Sequence, residues 1–378
     1  MFFIRADGNA KIGAGHLMRC MAVGEELALS VGREEIYFLC ADTQSAALAK
    51  DHGFQTFVLG TDYQNMESEL PLWRELTEKL SAEKGAGAGR LVILIDSYYV
   101  TEPYLEALGR IGHTVLMDDF GTHCYPVDCI INYNAPAEVG AYRELYRGKD
   151  TRLLIGCDYI PLRRQFRAAE QVPCEKAFGI WEQLQTEKEV GIVSEKGCKI
   201  RETARKVLIT TGGGDSENIA EKILKKLYES YLEFHLVIGQ FSPHFQEMKE
   251  LEKTYANIYI HYNVENMAAL MKNCDIALTA AGSTVYELAA VGVPMICFSY
   301  AQNQEMLAEY MGREHIAGYA GPWHKNWEET LERMENVFQN LIADNRLRVE
   351  YSMRERAMVD GYGAERIARM LTEFVQKD

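Results

Sequence analysis

Two stretches of this 378-residue chain repeat one alternation, a short apolar run followed by a segment of helical periodicity. In the first stretch, residues 2–5, 36–40, 56–59, 91–95, 114–118 and 129–131 read as strands, with helix-like segments at 16–30, 44–52 and 66–83. The apolar character of these strands is continuous and does not alternate, which fits parallel strands covered on both faces. The pattern fades into Glu, Lys and Gln after about residue 166 and restarts with strands at 206–210, 234–238, 258–261, 276–279 and 294–298. Helices are expected between them at 216–230, 244–255, 264–272 and 284–291, followed by a helical tail over 328–376. The fold class is therefore α/β, with two doubly wound parallel-sheet, Rossmann-like domains facing a cleft. The expected boundaries are 1–165, a linker with a surface insertion over 166–205 (one helix near 178–186), 206–350, and a C-terminal helix over 351–378 whose return to the first domain is open. The GAGAG run at 85–89 reads as a flexible turn.

Charge narrows the partners. Fifty-five acidic residues against 40 Lys and Arg give a formal net charge of −15, with no basic patch for nucleic acid or an anionic membrane. An anionic small molecule would have to be attracted locally, by helix N-termini and a few cations. The nine cysteines are scattered without a CxxC pair, and no secretory signal is evident, which predicts reduced thiols in a cytoplasm. No apolar run approaches the ~20 residues of a membrane helix. Oligomeric state is not legible.

Ligands of doubly wound sheets bind on loops at the carboxyl ends of strands, and three such loops stand out. The first runs from Arg5 through Asp7, Gly13, Gly15 and His16 to Arg19. Met18 stands where a dinucleotide fingerprint needs its third glycine, which weakens an NAD reading, although Asp42 could mimic the ribose-binding acid. His16 opens a helix, where the positive dipole end and nearby Arg and Lys favour the neutral ring suited to a general base. A helix-start histidine that merely bonds backbone is the alternative. The second loop, Thr210 to Asp215, carries Gly212, Gly213 and Gly214, whose amides can meet an oxyanion such as a diphosphate. A glycine-rich turn capped by Asp215 or Ser216 fits equally, and no GxxxxGK[ST] element supports ATP cleavage. The third loop carries Gly282, Ser283, Thr284 and Glu287, where Glu287 either accepts ribose hydroxyls or closes a capping box with Thr284. Beyond the next strand, Asn303 and Gln304 offer neutral donors to phosphate oxygens. Tyr98 follows the strongest apolar strand and points either into the cleft or into packing, while Asp118 and Asp119 either bind a sugar or cap. His123, Cys124 and Cys129 lack recognised zinc spacing, and no metal is expected. His113, His235, His244 and His315 read as packing or surface residues.

The segments IRADGNAKIGAGHLMRC, IDSYYV, LLIGCDYIPLRRQF, VLITTGGGDSENIAEKIL and VENMAALMKNCDIALTAAGSTVYELAAVGVP, followed by AQNQ, run in this order over nearly the whole chain. In them the chain resembles the UDP-2,4-diacetamido-2,4,6-trideoxy-β-L-altropyranose hydrolases of pseudaminic acid biosynthesis, which are similar in turn to GT-B glycosyltransferases. The 166–205 stretch is longer than usual for that family and touches no motif. The resemblance implies UDP in the second domain, sugar and catalytic base in the first, and water attack at the anomeric carbon with inversion, without metal or cofactor. It makes His16 the base and places Tyr98 near the sugar, Glu287 on the ribose and Asn303 by the diphosphate. Arg5, Asp7, Gly13, Gly15, Gly213, Gly214, Met267, Gly282, Ser283, Thr284 and Gln304 complete the implied substrate and UDP contacts. The implied partners are a UDP-sugar and water. A glycosyltransferase using the same donor, and a non-catalytic nucleotide-sugar binding protein, are the alternatives.

Overall fold

The structure, a computed structural model, describes residues 1–9, 12–84, 91–167, 200–239 and 242–376. The turn expected at 85–89 and the linker helix expected near 178–186 lie outside the described residues. The chain divides into two compact units, Met1–Arg163 with Tyr362–Asp378, and Arg164–Gly361.

The first unit is built on β1 (Phe2–Ala6), β2 (Ile36–Cys40), β3 (Gln55–Val58), β4 (Leu91–Asp96), β5 (Gly112–Met117), β6 (Cys129–Asn132) and β7 (Arg152–Ile155). All pairings are parallel, in the order β3-β2-β1-β4-β5-β6-β7. Every residue of β1, β2, β4 and β6 is buried, as continuous apolar strands between helix layers must be. Phe3, Trp73, Ile93 and Tyr104 are central to the core on one side. After β1 the chain builds toward β2, and after β4 toward β5, in opposite directions from the middle of the sheet. That reversal opens a crevice at the carboxyl ends of β1 and β4, where Ala6 pairs with Asp96.

The second unit repeats the plan with β8 (Lys206–Thr210), β9 (Glu233–Ile238), β10 (Ile258–Tyr262), β11 (Ile276–Ala280), β12 (Met295–Ser299) and β13 (Gly318–Pro322). These are parallel in the order β10-β9-β8-β11-β12-β13, so the reversal here lies between β8 and β11. Glycine- and proline-containing β13 sits at the sheet edge, where proline is tolerated.

The helical tail expected over 328–376 is three helices, Trp327–Ala343, Asn345–Met358 and Gly363–Gln376. The Asp344 carboxylate breaks the first from the second by accepting from the Arg346 and Leu347 amides at 2.8 and 3.2 Å. Gly361, at φ +79°, breaks the second from the third, and a Cβ there would lie 2.7 Å from the Phe166 carbonyl oxygen. The last helix packs on the first unit, with Arg152 on Glu373 at 2.7 Å and His113 stacked on Phe374 at 4.7 Å. Among the described residues, no helix is long and apolar enough to cross a membrane.

Candidate active site

In the first unit, the loops leaving β1 and β4 meet at the crevice. Gly13 turns its loop at φ +75°, its amide donating to the Asn9 carbonyl at 2.8 Å, and Gly15 then begins the helix Gly15–Val31. His16 is the second residue of that helix and lines a pocket with Asp7, Ile12, Tyr63, Asp96, Ser97, Tyr98 and Tyr99. Its Nδ1 lies 2.6 Å from Asp96 Oδ1. Burial opposes charge on Asp96, but Arg19 and His16 outweigh it and hold this carboxyl well below the usual carboxylate range. An ionised Asp96 can only accept, so this shorter contact favours a proton on Nδ1 and leaves Nε2 as the acceptor of the neutral ring, although Arg19 Nη2 also lies 3.2 Å from Nδ1.

One turn along the helix, Arg19 donates through Nε and Nη2 to Asp96 at 2.5 and 2.6 Å, and its Nη1 and Nη2 each lie 3.0 Å from Asp119. Tyr133 adds a hydroxyl contact to the same guanidinium. Tyr98 donates its hydroxyl to Asp119 at 3.0 Å and sets its ring edge-on to His16, centroids 4.5 Å apart. Burial and the Asp119 carboxylate push the Tyr98 phenol well above its ordinary range, so it stays protonated and acts as a donor. Asp118, in contrast, accepts from the Phe120 and Gly121 amides at 3.0 and 3.1 Å and shapes its own loop. Arg5 is fully buried, with Glu69 at 2.9 and 2.5 Å and Asp7 at 2.6 Å. It stands behind Asp7 and sets that carboxylate's position.

At the second unit's reversal, the loops after β8 and β11 carry glycines. Gly212 turns the loop after β8 at φ +89°, and a Cβ built on Gly214 meets nothing within 4 Å. The N-cap position of the helix Ile219–Leu227 is Asn218 and not Asp215 or Ser216, but Asp215 accepts from the helix's first two amides, those of Ile219 and Ala220, at 2.7 and 2.9 Å. Gly239, after β9, is pressed against this loop, and a Cβ there would lie 2.4 Å from the Gly212 oxygen. After β11, the helix Thr284–Val291 begins with Ser283 at its N-cap position, making no side-chain cap bond. Thr284 is thus inside the helix, and the capping box expected with Glu287 is not built on a Thr284 cap. A Cβ on Gly282 would meet only Gln304 Nε2, at 3.9 Å. Gln304 itself accepts from the Tyr300 amide at 3.1 Å, Asn303 is exposed in a single 3₁₀ turn, and Met267 is buried at the start of Met267–Lys272.

The structure thus brings Asp7, His16 and Tyr98 together on one pocket, with Gly13 and Gly15 on the loop that leads into His16, whereas Arg5, expected as a substrate contact, is fully buried behind Asp7 and engaged by Glu69. Gly213, Gly214, Gly282, Ser283 and Thr284 stand on the loops after β8 and β11, and Glu287, Asn303 and Gln304 on the segments that follow them. Asp96, Arg19, Asp119 and Gly239 join the sites without having been singled out for these roles by spacing. The sequence signal for the first two was an acid ending the strongest apolar strand and an arginine three residues after His16. The sequence points to cationic surroundings for His16; its nearest partner is instead the Asp96 carboxylate, with Arg19 Nη2 farther off at 3.2 Å. Among the described residues, no cluster of three or more His, Cys, Asp or Glu is placed to hold a metal, and His123 instead bonds Glu102 at 2.5 Å.

Residues 206–353 match the glycosyltransferase family 28 C-terminal domain. The chain is 22% identical over 82% of its length to the UDP-2,4-diacetamido-2,4,6-trideoxy-β-L-altropyranose hydrolase of Campylobacter jejuni, covering 95% of that protein. It is 23% identical over 78% of its length to an uncharacterised protein of Methanocaldococcus jannaschii, of whose length the match spans only 54%. Among solved structures, MurG of Acinetobacter baumannii superposes with a TM-score of 0.61 at 13% identity, over 98% of this chain and 99% of that one. The chain therefore has the GT-B glycosyltransferase fold, and its resemblance to the altropyranose hydrolases, carried by motifs, extends over most of its length.

Proposed function

We propose that this chain hydrolyses a UDP-linked 2,4-diacetamido-2,4,6-trideoxy-hexose, of L-altro configuration, to UDP and the free sugar. The observation that carries the proposal is the His16–Asp96 pair at 2.6 Å on a pocket at the β1/β4 reversal. The Campylobacter jejuni relative's name supplies the substrate class.

In the proposed reaction, Nε2 of His16 takes a proton from a water attacking the anomeric carbon on the face opposite UDP. The bond from that carbon to the β-phosphate oxygen breaks, and its electron pair leaves with UDP. Asp96 keeps the imidazole in the accepting tautomer and balances the imidazolium that forms. Negative charge gathering on the diphosphate is met by amides of the 212–214 loop and the 282–284 helix start, with Asn303 assisting. Glu287 is assigned to the ribose.

A glycosyltransferase reading draws on the family 28 domain match and differs in having an acceptor hydroxyl replace water. One experiment separates the two. Incubation with the UDP-sugar in ¹⁸O-water and no acceptor should release free sugar carrying the label. Label on UDP means attack at phosphorus, absence of turnover until an acceptor is added supports the transferase, and binding without consumption means a nucleotide-sugar binding protein.

A further inference from the structure

Both groups that wall His16 are themselves tied to one residue outside the pocket lining. Asp96 holds Nδ1 of His16 and shares Arg19 with Asp119, while Tyr98, edge-on to His16, donates to that same Asp119. The guanidinium is thereby fixed in its plane by carboxylates on two sides, with Tyr133 as a third contact. Asp119 is itself held, accepting from Asn134 Nδ2 at 3.1 Å, and its loop is shaped by the Asp118 bonds to the next two amides. The remaining carboxylate of the pocket, Asp7, bonds Arg5, a guanidinium it shares with Glu69.

We infer that Asp119 is a positioning residue for proton transfer at His16, acting through Arg19 on Asp96 and through Tyr98 on the imidazole ring. The inference rests on the hydrolase reading of this pocket. Asp119 makes no step of the chemistry and need not touch substrate. Its removal frees the outer edge of Arg19 and the Tyr98 hydroxyl together, so His16 loses definition on two sides.

A double-mutant cycle tests this, since only residues acting through one another fail to add. Asp119→Asn should lower kcat about 10- to 100-fold and leave KM within about twofold, the mark of an interaction needed only at the transition state. In a His16→Asn background, the same substitution should cost less than about twofold. Equal losses in both backgrounds overturn the inference, as does a raised KM with kcat kept, which would put Asp119 on the sugar. Should Asp119→Asn not fold, Asn134→Ala loosens the same carboxylate and should show a smaller kcat loss that likewise vanishes without His16. A His16→Asn enzyme of full rate, or a wild-type chain that consumes no UDP-sugar, overturns the hydrolase reading and this role with it. An additive cycle overturns the role alone.

Discussion

Gly239→Ala tests the proposed assignment of the 212–214 loop to the diphosphate without touching the chemistry. The added Cβ would lie 2.4 Å from the Gly212 oxygen, 2.5 Å from the Gly213 oxygen and 2.6 Å from the Gly213 carbonyl carbon. These are backbone atoms that cannot rotate away, and ordinary contact begins near 3.4 Å, so the loop must retreat by about 1 Å. Hydrogen bonds to a diphosphate tolerate far less, and those to a charged group are worth about 1.5–3 kcal/mol each. Losing one or two therefore means about 3 kcal/mol, or roughly 100-fold in UDP affinity. Titration calorimetry with UDP, run beside thermal melting, reads both quantities. Gly214→Ala is the companion: its methyl meets nothing within 4 Å, so melting should hold while UDP affinity falls. A folded Gly239→Ala protein with wild-type UDP affinity would refute the assignment of this loop to phosphate.

Other predictions concern the buried charges. Glu69→Gln removes the carboxylate that takes two Arg5 nitrogens and the Tyr104 hydroxyl, and should cost about 3–5 kcal/mol in urea unfolding. A loss under about 1 kcal/mol would mean the pair is not maintained. Asp96, held below its unfolded value of about 3.9 by Arg19 and His16 against its burial, stabilises the fold above that pH and less below it. The melting-temperature gap between wild type and Asp96→Asn should therefore be widest near neutrality and close below about pH 4, and a constant gap contradicts this. His235 is pushed down to about 4 by burial, His261 and Lys206. The unfolded chain then binds the proton first, so stability is lost as pH falls from about 6.5 toward 4, and His235→Phe should flatten that slope.

The two-sheet plan was legible because continuous apolar strands such as Leu91–Asp96 have few other uses. Strand β7 was not, since only four residues, RLLI, carry it. Strand β13 was hidden by composition, because Gly318 serves helix packing: a Cβ there would meet Val337 Cγ1 at 2.6 Å. The breaks in the tail depend on Asp344 capping and on the approach of Gly361 to Phe166, and the second of these is a long-range contact. At the site, backbone-driven features could be read locally, which is why the glycines of the 212–214 loop and His16 stood out. Asp96 and Asp119 reach His16 from 80 residues away and through Arg19 from 100, separations at which spacing carries no information. Arg5 reads as a ligand contact by its position in the loop motif. Only the fold reveals that Glu69, 64 residues on, engages it in the interior.

The account stands on His16 as the base, and turnover and UDP affinity of His16→Asn measured on one preparation test this most directly. The expected result is a kcat lower by about 10²–10⁴-fold with a UDP Kd within about twofold of wild type. Near-normal turnover would contradict the mechanism.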